Sequence, residues 1–217
     1  MKAFALSFIR AYQDVFYRLV LRYHLRDASS VLDVGCGANS PLKEIKKTFR
    51  SVGVDVFPKS IRESKKQHIH DDYICCDIRR IHKYVSRKSF DAVVALDVVE
   101  HLSKKESLLL LKRLEAIAKI KVVVLTPNGY YKQEALEGNP YQVHRSGWSV
   151  GDFLRLGYRV YGLRGAKFIR GEHATITRKP WIFWGLCAFI SEVLFYFFPV
   201  FSYDLFAVKQ TSTYKAA

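Results

Sequence analysis

The chain has 217 residues, of which 49% are hydrophobic, and carries a formal net charge of +15 with an isoelectric point near 9.7. That length and apolar content suit one globular domain with a sizeable core and exclude a generally disordered chain. The positive balance favours anionic partners (nucleic acid, acidic lipid or phosphorylated substrates) without choosing among them.

Residues 4–25 place Phe4, Phe8, Tyr12, Val15, Phe16, Leu19 and Tyr23 at helical spacing, with Arg10, Arg18, Arg22 and Arg26 between or just beyond them. This predicts a basic amphipathic helix that either packs across a sheet with its arginines in water, or touches an anionic membrane or covers the substrate site. Lys2 and a short apolar run broken by Arg10, with no small-residue cleavage site, do not read as a secretory signal. The pattern then predicts a strand at Ser30–Val34, a helix from Pro41 to Phe49 and a strand at Ser51–Val56. A helix from Pro58 to Gln67 and a strand at Tyr73–Cys76 follow. Further on come a strand at Phe90–Leu96, a long helix at Lys104–Ala118 and a strand at Lys121–Thr126. Pro127-Asn128-Gly129 ends that strand. A polar, aromatic loop leads to a short helix at Ser149–Leu156 and a sixth strand at Tyr158–Leu163.

Apolar strands alternating with helices predict βαβ units and a parallel sheet covered on both faces, an α/β fold. Trp181–Phe201 is nearly all apolar, long enough to span a bilayer, yet it contains Glu192 near its middle and Pro199 near its end. Asp204–Lys209 reads as a seventh strand. If it rejoins the sheet beside the sixth, both ends of the apolar segment lie on one side and a single crossing is excluded. The segment is therefore expected to pack on the domain or dip into an interface. The whole chain reads as one domain: an N-terminal helix over 1–27, a core over 28–128 and a region over 129–217 that contains the apolar segment 181–201. Cys36, Cys75, Cys76 and Cys187 form no C-x-x-C pair and read as reduced thiols of a cytosolic protein.

Val31-Leu32-Asp33-Val34-Gly35-Cys36-Gly37 describes a buried strand running into a glycine turn and a helix start. Such a turn lets a ligand approach the backbone closely. Ligands of open α/β sheets bind at the carboxyl ends of the strands. Asp55, Asp77 and Asp97 follow the second, third and fourth strands. Each alone reads as a helix cap; in register with the glycine turn they form a bed for an extended ligand. Asp55 suits ribose hydroxyls, and Asp77 an adenine amino group. The dinucleotide fingerprint asks for a third glycine where Ser40 stands, and Asp33 would repel a pyrophosphate. Both features disfavour an NAD oxidoreductase and suit a cofactor that carries positive charge.

These residues resemble those of the class I S-adenosylmethionine-dependent methyltransferases, in particular the type-11-like small-molecule group that includes quinone-biosynthesis enzymes. Val31–Gly37 is similar to the family's first motif, Asp55 to its ribose-binding acid, and Asp77-Ile78 to its adenine-contacting pair. Phe90–Leu102 is similar to its fourth-strand motif. The resemblance covers about Ser30–Asn128. It implies a Rossmann-like sheet of seven strands, the last antiparallel, S-adenosyl-L-methionine as cofactor, and contacts to it from Asp33, Gly35, Cys36, Gly37, Asp55, Val56, Asp77, Ile78, Leu96 and Asp97.

Methyl transfer to a hydroxyl needs a base, and His101 and His144 are the candidates. Each also reads as a plain hydrogen-bonding residue of its loop. No carboxylate–histidine cluster has ligand spacing in the sequence, so no metal is expected. The leading expectation is methyl transfer to a hydrophobic or membrane-associated small molecule, with the protein cytoplasmic or peripheral at an anionic membrane. The alternatives are a nucleic-acid methyltransferase, motivated by charge, and a non-catalytic membrane-surface protein that keeps the fold.

Overall fold

The computed structural model describes residues 15–45, 49–135, 138–171 and 176–211, the Ile182 side chain excepted. A seven-stranded sheet runs in the order β3-β2-β1-β4-β5-β7-β6. Its strands are β1 (Ser30–Val34), β2 (Arg50–Asp55), β3 (Asp72–Cys75), β4 (Phe90–Leu96), β5 (Ala118–Pro127), β6 (Arg159–Ala166) and β7 (Ser202–Gln210). β1 to β5 are parallel, and β7 lies antiparallel between β5 and β6. Chain order reverses between β1 and β4, and the carboxyl ends of these two strands open the crevice where such sheets take ligands.

β4 is apolar and buried from Ala92 to Leu96 because it is covered on both faces. On one face lies α3 (Lys104–Ile117), started by a reciprocal Ser103–Glu106 capping box and burying Leu110, Leu111, Leu114 and Ile117. The shorter α2 (Pro58–Lys66) buries Ile61, and α4 (Val150–Arg155) buries Phe153. Cys75 is exposed and Cys76 buried, as strand alternation requires, and all four cysteines are free.

The other face is covered by α1, helical over residues 15–25, which buries Tyr17, Val20, Leu21 and Leu25. This corrects the expected packing stripe. Val15, Leu19 and Tyr23 point outward, 45%, 59% and 58% exposed, beside the exposed Arg22 and Arg26. Two stripes of helical spacing compete in this segment, and the one that meets the sheet is the one that carries the leucines at 21 and 25. Phe4, Phe8, Arg10 and Tyr12 lie outside the described residues. The helix expected over Pro41–Phe49 is also corrected: one 3-10 turn, Pro41–Glu44, capped by the Ser40 hydroxyl, is followed by a turn at Ile45. Residues 46–48 lie outside the described residues.

The apolar segment forms α5 (Trp181–Phe197) and a 3-10 turn at Pro199–Phe201. α5 packs across β6, where a Cβ on Gly162 would sit 2.2 Å from the Phe195 carbonyl; only glycine permits that approach. The return through β7 brings both ends of α5 to the same sheet, as expected. Among the described residues no helix is long and apolar enough to cross a membrane. Glu192 faces inward, 1% exposed, and accepts the Arg164 backbone N–H at 2.7 Å.

Candidate active site

The glycine turn is held from β2. Gly35 and Cys36 donate their N–H groups to the Val54 carbonyl at 2.7 and 3.0 Å, and Gly37 donates to Asp55 Oδ2 at 2.9 Å. Gly35 has φ +75°, and a Cβ there would lie 2.5 Å from a Val98 methyl carbon. Asp55 Oδ1 accepts the Phe57 N–H at 2.8 Å. Each carboxylate oxygen keeps lone pairs for a further donor. Burial raises the Asp55 pKa, against the pull of the Phe57 and Gly37 amides. Asp55, Val56, Ile78 and Val98 line a cavity of about 120 Å³ that reaches Gly35 and Asp97.

Asp33 lies outside that lining. It is 1% exposed, and its Oδ2 accepts the Ser40 hydroxyl at 2.5 Å and lies 2.9 Å from His70 Nε2. A carboxylate only accepts, so Nε2 carries the proton. Asp33 thus anchors the turn, through a histidine that the sequence reading did not single out. Cys36, Leu96, Asn39, Tyr17 and Arg164 border a larger cavity of about 580 Å³ beside the turn. Burial, with the Asp33 charge, pushes the Cys36 thiol far up, so it stays protonated. Asp77 performs the capping role weighed for it: its Oδ1 accepts the Arg79 N–H at 2.9 Å. The Arg79 guanidinium, at 2.8 Å from Oδ2, holds its pKa down.

Asp97 is where the cavities meet. It borders the 120 Å³ and 580 Å³ spaces and a third of about 220 Å³. Its φ is +55°, a costly backbone for an aspartate, and its dense surroundings raise its pKa. The third space is lined by Glu100, His101, Tyr131, His144, Arg164 and Tyr203, among others. His101 and His144, expected separately, come together with ring centroids 4.9 Å apart. Burial, reinforced by the neighbouring His144 ring, lowers the His101 pKa to about 4, so this ring is neutral at ordinary pH. Glu100 is 2% exposed and accepts the Thr126 hydroxyl at 2.8 Å. Burial and the Asp97 charge push its pKa well up. Its backbone carbonyl accepts the Arg145 and Ser146 N–H groups at 2.7 and 3.0 Å, which ties the His144 loop to the end of β4. The sequence shows no histidine–carboxylate cluster at ligand spacing, but folding makes one: donor atoms of Glu100, His101 and His144 lie within 4.8 Å of one another. Arg164, on the β6 edge with φ +61°, reaches Asp204 Oδ2 at 2.8 Å and completes the wall.

Residues 32–131 match the family model described as "Methyltransferase domain". With Ubiquinone biosynthesis O-methyltransferase of Bradyrhizobium diazoefficiens the chain is 36% identical over 115 residues, 49% of this chain and 43% of that protein. Residues 32–131 are thus similar to methyltransferase domains. The matches to curated relatives span about half of those proteins' lengths. The fold recurs in a SAM dependent methyltransferase from Archaeoglobus fulgidus, with TM-score 0.56 and 19% identity over 89% of this chain and 94% of that one. It recurs also in magnesium protoporphyrin IX methyltransferase from Synechocystis with bound SAM, with TM-score 0.54 and 17% identity over 95% and 84%.

Proposed function

We propose that this protein transfers the methyl group of S-adenosylmethionine to a hydroxyl of a hydrophobic small molecule presented at a membrane surface. The observation that carries the reading is the meeting of all three cavities at Asp97. One side of Asp97 suits a cofactor, and the other suits an acceptor. The residues fit the cofactor. Asp55 has acceptor capacity left for ribose hydroxyls, Val56, Ile78 and Val98 offer apolar walls to a base, and the glycine turn leaves room for an amino-acid tail. Asp33 and Asp97 favour a cationic ligand over a pyrophosphate.

The bound cofactor supplies an electrophilic methyl on a sulfonium. The chain contributes alignment, water exclusion and handling of the acceptor proton. The Nδ1 of His101 lies 3.3 Å from the Val143 carbonyl, and that of His144 2.7 Å from the Tyr131 carbonyl. Carbonyls only accept, so on these contacts both rings hold their proton on Nδ1, and His101 and His144, which line the shared cavity, are its candidate bases.

The acceptor class and the membrane follow from α5. Phe183, Leu186, Ile190, Leu194 and Phe197 are each at least 54% exposed and form an outer face without charge. Lys179 lies 4.9 Å from the Trp181 ring and Arg178 5.6 Å from the Trp184 ring, a pairing suited to anionic headgroups. Asn128, at the end of β5, donates to the Pro199 and Val200 carbonyls at 3.1 and 3.0 Å and links this surface to the cleft wall. A similar Bradyrhizobium protein is named for ubiquinone biosynthesis, in keeping with such an acceptor.

The test is incubation of the protein with methyl-labelled S-adenosylmethionine and fractionated extract, alongside calorimetry with the demethylated cofactor. Label in the lipid-soluble fraction is expected. Label in RNA alone would replace the acceptor class, and no cofactor binding by the wild-type protein would overturn the reading.

A further inference from the structure

We propose that the protein binds a nucleotide-sized phosphate monoester at the amino ends of β5 and β6, on the sheet edge opposite the cofactor cleft. A separate cavity of about 450 Å³ lies there, of a size that suits a small-molecule ligand. Its walls come from the end of α1, the start of β5 and the paired strands β6 and β7.

The first argument is charge. Among the described residues three cations line this cavity, Lys121, Arg26 and Arg159, against one carboxylate, Asp27. Lys121 is buried, its side chain 6% exposed. Its Nζ donates to Asp27 Oδ1 at 2.5 Å and to the His24 carbonyl at 2.9 Å. Those two contacts fix the ammonium at the end of α1, and one of its three N–H groups is left over. Arg26 lies 4.0 Å from the Tyr23 ring, and no carboxylate among the described residues forms an ion pair with Arg26 or Arg159. The cavity wall therefore holds two positive charges in excess. A phosphate monoester brings about two negative charges near neutral pH, and its oxygens match the guanidinium fork.

The second argument is the aromatic wall. The His24 ring centroid is 5.2 Å from that of Tyr23 and 5.3 Å from that of Tyr161. Burial, with the charges of Lys121 and Arg26, lowers the His24 pKa to about 4 against the pull of Asp27, so the ring is neutral. Neutral rings beside arginines suit a ligand with a planar group next to its phosphate. S-adenosylmethionine has no phosphate, so the cavity is not a second bed for the cofactor. The site does not rest on the methyltransferase reading.

The experiment titrates the full chain with uridine monophosphate, which lacks the cofactor's adenine, in parallel with uridine and with inorganic phosphate. Calorimetry, thermal melts and histidine imidazole NMR are the readouts. One equivalent of the nucleotide should bind and raise the melting temperature, since it ties α1 to the sheet. The His24 signals, assigned with His24→Gln, should shift while those of His101 and His144 stay in place. Uridine and phosphate should each bind at least tenfold more weakly. Arg26→Glu and Arg159→Glu should each weaken nucleotide binding at least tenfold. Both arginines are exposed, so circular dichroism and the melting temperature of the free variants should match wild type. No binding by the wild type would overturn the site, as would binding that both variants retain or shifts at His101 and His144 in place of His24. Equal affinity for uridine or for inorganic phosphate would refute the ligand class. Polyuridylate that binds far more tightly per site, and loses that advantage in both variants, would replace the small molecule with a nucleic acid.

Discussion

Asp33 and His70 are joined inside the protein, His70 Nε2 standing 2.9 Å from Asp33 Oδ2 with both side chains at most 2% exposed. The contact links the strand before the glycine turn to the segment that leads into β3. It holds the turn from below, while Ser40 holds it from the side at 2.5 Å. His70→Ala would leave a buried carboxylate without its N–H donor. We expect a loss of about 2–4 kcal/mol in folding stability by urea denaturation, together with weaker cofactor binding. An unchanged midpoint would mean that water or another donor replaces the imidazole.

Asp55 has two tasks, holding the Gly37 amide and, in the proposed function, accepting ribose hydroxyls. Asp55→Ala should weaken binding of the demethylated cofactor about 10- to 100-fold, or about 1.4–2.8 kcal/mol, by calorimetry. Asp77→Asn should cost less, because that carboxylate is already committed to its helix cap and to Arg79. Equal losses at the two positions would refute this division of labour.

His101 titrates against its burial. Its folded pKa, about 4, lies below the ordinary histidine value of 6.5, so between these values the unfolded chain binds more protons. The His101 contribution is therefore fully present above about pH 6.5 and declines as pH falls toward 4. Wild-type protein should lose more stability than His101→Gln on going from pH 7 to pH 5. Thermal melts at the two pH values measure the difference. A His101 imidazole that charges near pH 6.5 by NMR would contradict the burial argument.

Ile190 and Phe197 stand 64% and 69% exposed on the outer face of α5. The double change Ile190→Glu with Phe197→Glu should leave the fold and cofactor affinity within experimental error. Co-sedimentation with vesicles rich in anionic phosphatidylglycerol should drop severalfold, since each site loses buried apolar area and adds repulsion. Equal sedimentation of variant and wild type would remove α5 from the membrane reading.

Local patterns in the sequence determined much of this protein. β1 and β4 have the bounds that the mostly apolar runs Ser30–Val34 and Phe90–Leu96 predict, because a strand covered on both faces is apolar along most of its length, Asp33 and Asp91 being the acids within these two. The glycine turn and the acid after β2 were legible too, since Gly35, Gly37 and Asp55 answer to local backbone demands and the strand order carries them to one edge. Tertiary structure decided what local spacing leaves open. The helix over 15–25 has two stripes of suitable spacing, and packing chose Tyr17, Val20, Leu21 and Leu25 over Val15, Leu19 and Tyr23. His70 meets Asp33 across 37 residues, a contact without a periodic signature. His144 meets His101 and Glu100 because the Glu100 carbonyl captures the Arg145 and Ser146 amides. Such clusters depend on which loops the sheet brings together, a property of topology that residue spacing does not encode.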